Sequence, residues 1–157
     1  MAKEQRTKSP GVRIQSILVP VDFSENSAGA LKYASALASQ FRARVTLIYV
    51  IEPTPFISGL GNVPIVLSDE EVKGKATHEL ELLVEEQLGS SVEAKSIIRQ
   101  GKPYDQIVKA AKQLKADLIV ISTHGYTGLK HTLLGSTAER VVRHAGCPVL
   151  VLPLARE

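Results

Sequence analysis

Residues 117–142 read DLIVISTHGYTGLKHTLLGSTAERVV. The first five, DLIVI, are nearly all apolar and too short for a helix, which predicts a strand covered on both faces. Ser136-Thr-Ala-Glu139 fits a capping box, and Val141 and Val142 are expected to face inward from the helix it opens. Glycines and hydroxyls fill the space between strand and helix. Gly125 and Gly128 permit positive φ and close approach of backbone N–H groups to a ligand, or they simply make turns. Gly135, Ser136 and Thr137 stand where unpaired N–H groups and the helix dipole favour an anion, or Ser136 only caps. Local chemistry leaves both readings open.

Working outward, residues 16–21 (SILVPV) predict a first strand, and Ser24 or Asn26 caps the helix after it. Ala30, Leu31, Ala34, Leu37, Ala38 and Phe41 form that helix's apolar stripe. Residues 44–51 (RVTLIYVI) predict a second strand. From 52 to 67, three prolines and two glycines deny regular structure, a length of connection that is often functional. Ser68-Asp-Glu-Glu71 fits another capping box, for a helix running towards Leu88 with Gly89 as its stop. A third strand is expected over 92–99. Pro103 suits the first turn of the next helix, with Ile107, Val108, Ala111 and Leu114 on its apolar face. Gly146 ends the last helix, and 148–152 (PVLVL) predict a fifth strand. Strands alternate with helices throughout, which indicates one doubly wound α/β domain over residues 14–157, with a five-stranded parallel sheet and helices on both faces.

Composition excludes several classes. The 157 residues are 44% hydrophobic and 22% charged, a soluble globular balance. Net charge is +3, densest in the tail 1–13 around Lys3, Arg6, Lys8 and Arg13. That tail has no aromatic interleaving and no second basic cluster behind it, so no nucleic-acid partner is expected. The single Cys147 rules out an intrachain disulfide, disfavours a cysteine-based metal site and favours a reducing compartment. No run approaches a membrane span and no signal-peptide core is present, so a cytoplasmic protein is expected.

Ligands of open parallel sheets bind beyond the C-terminal ends of the strands, where strand order reverses. With the first strand central, Pro20-Val-Asp22 and the loop after the fourth strand are the candidate sites. No G-x-x-x-x-G-K-[ST] and no G-x-G-x-x-G occurs, which disfavours a standard P-loop enzyme and a standard dinucleotide domain.

Gly125, nine residues, then Gly135-Ser136, preceded by Ser122, resembles the nucleotide-binding motif of universal stress proteins. Residues 17–24 (ILVPVDFS) and 147–151 (CPVLV) resemble that family's first and last strands. The resemblance spans about residues 16–152 and implies a homodimer that binds ATP, with Mg or Mn carried on the triphosphate. It also implies slow ATP hydrolysis at most and a role in stress survival as a binding or signalling module. By matching position, Pro20, Val21 and Asp22 would meet the adenosine and Val50 the adenine through its backbone. Ile121 and Ser122 would lie under the ribose and first phosphate; His124, Gly125, Gly135, Ser136 and Thr137 would surround the phosphates. Ser122 departs from the motif, which opens on glycine, so the alternative is a nucleotide-free homodimerisation module. The dimer itself is expected through the last strand, Val149, Leu150, Val151 and Leu152, whose apolar edge invites pairing.

Asp22 contacts a ligand or caps the turn after the first strand. His124 has no evident carboxylate partner and is expected to order the loop or bond phosphate rather than act as a base. His78 and His144 share no metal-ligand spacing, and no protein metal site or catalytic residue is expected. Cys147 is expected to pack near the core. An adenylating or pyrophosphate-splitting enzyme would carry S-G-G-x-D-S or H-x-G-H after the first strand, and a phosphoacceptor receiver an Asp ending the third; neither occurs.

Overall fold

In the computed structural model, which describes residues 11–53, 69–123 and 134–153, strands and helices alternate. The order is β1 (Ser16–Pro20), α1 (Glu25–Phe41), β2 (Arg44–Ile51), α2 (Asp69–Gln87), β3 (Ala94–Gln100), α3 (Pro103–Leu114), β4 (Leu118–Ser122), α4 (Ser136–His144) and β5 (Val149–Leu152). All pairings are parallel and the sheet runs β3-β2-β1-β4-β5, so β1 is central and strand order reverses between β1 and β4.

Side chains alternate across each strand, and this sorts the core into two layers. Ile17, Val19, Val45, Leu47 and Val120 pack with Leu31 and Ala34 of α1 and Leu80 of α2. Leu18, Ile48, Ile119 and Ile121 pack on the opposite face with Ile107 of α3 and Val141 of α4. All five residues of β4 are buried, as its unbroken apolar run requires. Asp117 ties the near ends of the two central strands together, its carboxylate accepting from the backbone N–H groups of Gln15 (2.8 Å) and Ser16 (3.0 Å).

Helix ends follow local chemistry with two corrections. Ser24 caps α1 by accepting from the Ser27 N–H, and Pro103 opens α3. The expected capping box at Ser136 does not form: Gly135 is the N-cap, without a side-chain cap bond, and Ser136 is the first helical residue. One step of register accounts for it, because Gly135 takes the extended cap geometry and its carbonyl accepts the first helical bond, from Glu139. Val142 is 46% exposed rather than inward; only Val141 of that pair is buried, since adjacent helix positions lie about 100° apart. The third strand starts later than expected, at Ala94, because a 3₁₀ turn at Gly89–Ser91 precedes it and Val92 packs into the core instead. The expected cap at Ser68 and the connection 54–68 lie outside the described residues.

Phe23, between β1 and α1, has φ 62°. A bulky residue in the left-handed region is strained by about 1–2 kcal/mol. It is held there by the Asp22 carboxylate, which accepts from both the N–H and hydroxyl of Ser24, and by its ring against Tyr49, centroids 4.6 Å apart. Phe23→Ala keeps the strain and loses the ring, whereas Phe23→Gly loses the ring but relieves the strain. Chemical denaturation is expected to show both variants destabilised, with the glycine variant about 1 kcal/mol less so.

Candidate functional site at the strand-order reversal

The β1–β4 ladder runs only from Ile17↔Leu118 to Leu18↔Ile119. Backbone direction alternates along a strand, and this gives a reason for the early end. The Val21 N–H is bonded to Ile48 of β2 at 2.9 Å, so Pro20, one residue earlier, is turned to β4. Proline has no N–H to give. The ladder between the two central strands therefore stops short of their C-terminal ends, at the strand-order reversal where open α/β sheets have their crevice.

Two further backbones turn into this crevice. On β2, Ile48 bonds towards β1, so Val50 also faces that side, past the last paired residues Pro20 and Ile48. On β4, the Thr123 N–H is bonded to Leu152 of β5 at 2.8 Å, so Ser122 is turned the other way, towards β1. Ser122 is buried, at 9% exposure. Val21 and Ile121 are buried with their side chains in opposite core layers, so they wall the crevice rather than reach into it.

At the far side stands the start of α4. The Gly135 N–H is bonded to the Thr123 carbonyl at 2.7 Å, which fastens the helix start to the end of β4. Helix bonding begins with Glu139, so the N–H groups of Ser136, Thr137 and Ala138 have no helical acceptor. Ser136 is exposed and Thr137 half-buried. That is an anion-binding arrangement by backbone donors and dipole. His124 and Gly125, together with Gly128, lie outside the described residues.

Comparison with known proteins shows the family. The family model described as Universal stress protein family matches residues 13–153. The chain belongs to the universal stress protein family. Universal stress protein MJ0531 of Methanocaldococcus jannaschii is 38% identical over 140 residues, 88% of this chain and 81% of that protein. The solved universal stress protein UspA from Lactobacillus plantarum is 30% identical with a TM-score of 0.73, over 90% of this chain and 99% of that one. A universal stress protein from Archaeoglobus fulgidus, solved in complex with dAMP, shares the fold at 21% identity and TM-score 0.62, over 90% and 98% of the two chains.

Two residues of this universal stress protein's crevice escape a reading by pattern. Ser27, 1% exposed, accepts from the Asp22 N–H at 3.3 Å and donates to the Ser24 carbonyl at 2.9 Å, so it orients the Asp22 turn from beneath. Thr123 is the anchor for both β5 and the start of α4. A serine three residues past an N-cap serine was the available signal for the first; nothing local marks the second. Tyr49 borders Asp22, and its phenol is pushed up by burial and then by the carboxylates of Glu79, Asp22 and Glu52.

Away from the crevice, Cys147 is half-buried against the α3–α4 layer, and burial, reinforced by Asp117, pushes its thiol up. A thiol reagent at neutral pH is expected to modify native Cys147 more slowly than the unfolded chain, with the gap closing as pH rises. His144 donates its Nδ1–H to the Arg140 carbonyl at 2.8 Å and lies beside Tyr104. Among the described residues no group of three or more His, Cys, Asp or Glu is placed to hold a metal, and no helix is long and apolar enough to cross a membrane.

Proposed function

We propose that this universal stress protein binds ATP in the crevice between β1 and β4 and works as a homodimeric binding or signalling module, not as a catalyst. The observation that carries the reading is the convergence of Val50 and Ser122 backbone with the N–H groups that open α4. Val50 offers a backbone donor and acceptor to a flat base, Ser122 stands beside the sugar, and the α4 N–H groups offer donors to phosphate. Asp22 presents a carboxylate at the sugar end. The A. fulgidus complex with dAMP adds that a protein of this fold holds an adenine mononucleotide. Mg or Mn would arrive on the triphosphate and neutralise its charge.

Calorimetric titration of nucleotide-stripped protein with ATP, with and without magnesium, tests the reading. Micromolar or tighter binding is expected; absence of heat at millimolar ATP refutes it. The rival reading, a nucleotide-free dimerisation module, draws on Ser122, whose buried side chain occupies the glycine position of the motif. A large gain in affinity on Ser122→Gly would favour the rival, an unchanged affinity the binding module.

The dimer part of the proposal rests on the contrast between the two sheet edges. β3 carries Lys95 and Arg99, charges that discourage pairing with a second copy. β5 is four half-buried apolar residues without a charge. Antiparallel pairing of two β5 strands would cover them.

A further inference from the structure

We infer that the outer edge of β3 is a docking strip for an extended acidic peptide segment of a partner protein. The inference is independent of the nucleotide site. A groove of about 500 Å³ lies across the C-terminal end of β3, lined by Lys73 and Thr77 of α2, Ile98, Arg99 and Gln100 of β3, and Gln106 of α3. It holds two cations and no carboxylate.

Backbone direction supplies the second half of the argument. The Val45 N–H is bonded to the Glu93 carbonyl and the Gly101 N–H to the Ile51 carbonyl, so odd-numbered residues along this stretch face β2. Ile98 and Gln100 therefore turn their N–H and C=O groups outward, into the groove. Among the described residues no strand pairs with that side of β3. A β-edge of this kind accepts an added strand through main-chain bonds.

Charge then selects the occupant. Lys73 reaches the groove from the α1–α2 side of the sheet, while Arg99, bonded to Gln113 of α3 at 3.0 Å, stands on the α3 side. Lys95 shares the α3 side with Arg99, since the two are four residues apart on one strand. Among the described residues none of the three is in an ion pair. Successive residues of an incoming strand point to opposite faces, so two adjacent acidic residues would meet Lys73 and Arg99 together. A second copy of β3 would bring its own Lys95 and Arg99 against these cations and is disfavoured by repulsion. The same charges that keep β3 from self-pairing thus fit it to an acidic strand.

The test is fluorescence anisotropy at low salt on the full chain, using a labelled short peptide, blocked at both ends, with two adjacent glutamates between valine–threonine pairs. Saturable binding is expected, weakened at least tenfold by Lys73→Glu combined with Arg99→Glu and by N-methylation of the peptide backbone. Circular dichroism and ATP titration of the double variant should match the parent, which separates this result from the fate of the nucleotide reading. Binding that survives charge reversal overturns the proposal, as does equal binding of the N-methylated peptide. Competition by inorganic phosphate at the peptide's own affinity would also overturn it, showing a simple oxyanion pocket.

Discussion

Ser136→Asp should raise the protein's stability while abolishing most of its affinity for ATP. Ser136 is the first residue of α4 and exposed. A carboxylate there complements the positive end of the helix dipole, worth about 0.5 kcal/mol. The same carboxylate would stand beside the triphosphate that the α4 N–H groups are proposed to hold. At an effective dielectric of about 20, like charges about 4 Å apart repel by roughly 4 kcal/mol, so a loss of about 100-fold or more in affinity is expected. Ser136→Ala serves as the control, because it leaves every backbone donor in place and no cap bond is lost; its affinity should stay within a few-fold. Calorimetry and thermal melts on the same samples read both quantities. An aspartate variant that melts higher and binds ATP normally would move the phosphates away from α4.

Val151→Pro is expected to turn the proposed dimer into a folded monomer. The carbonyls of Pro148 and Leu152 accept from Ile119 (3.0 Å) and Thr123 (2.8 Å), so the even-numbered residues of β5 face β4. Val149 and Val151 therefore turn their N–H groups outward. Proline is tolerated on an edge strand where the missing N–H faced away from the sheet. The variant keeps the β4–β5 ladder and removes a donor only a second chain could use. Sedimentation velocity should show the mass halved with the circular dichroism spectrum unchanged. Retention of the dimer would place the interface elsewhere.

Much of the architecture was legible because its signals are local. β4 announces itself as a short unbroken apolar run, and α1 by a three- and four-residue stripe behind an N-cap serine. Their alternation implies parallel strands with helices on both faces, and the wound order β3-β2-β1-β4-β5 follows that expectation. Pattern and resemblance point to Pro20, Asp22, Val50, Ser122 and Ser136, which lie at the C-terminal ends of β1, β2 and β4 and at the start of α4. The reason is that a site at a strand-order reversal is built from strand ends and helix starts, and both leave composition marks.

What only the tertiary structure decided is direction. Pattern runs the first strand through Pro20 to Val21; the structure ends it at Pro20, and the bond from Val21 to Ile48 shows that the missing N–H of Pro20 faces β4, which is why the β1–β4 ladder stops there. Pattern placed Ser136 at a helix start, but whether it or Gly135 is the cap depends on one residue of register, fastened by the Gly135–Thr123 bond. Val142 is exposed where the pattern has it inward, and Ser27, on which pattern is silent, is buried, since burial depends on which neighbour lies across the gap. Amino-acid sequence determined which segments would be strands and helices, through propensities and periods that act over a few residues. Which way each backbone group points at the sheet's edges and at its centre was left to packing, because hydrogen-bond direction in a strand is inherited from the partner it pairs with.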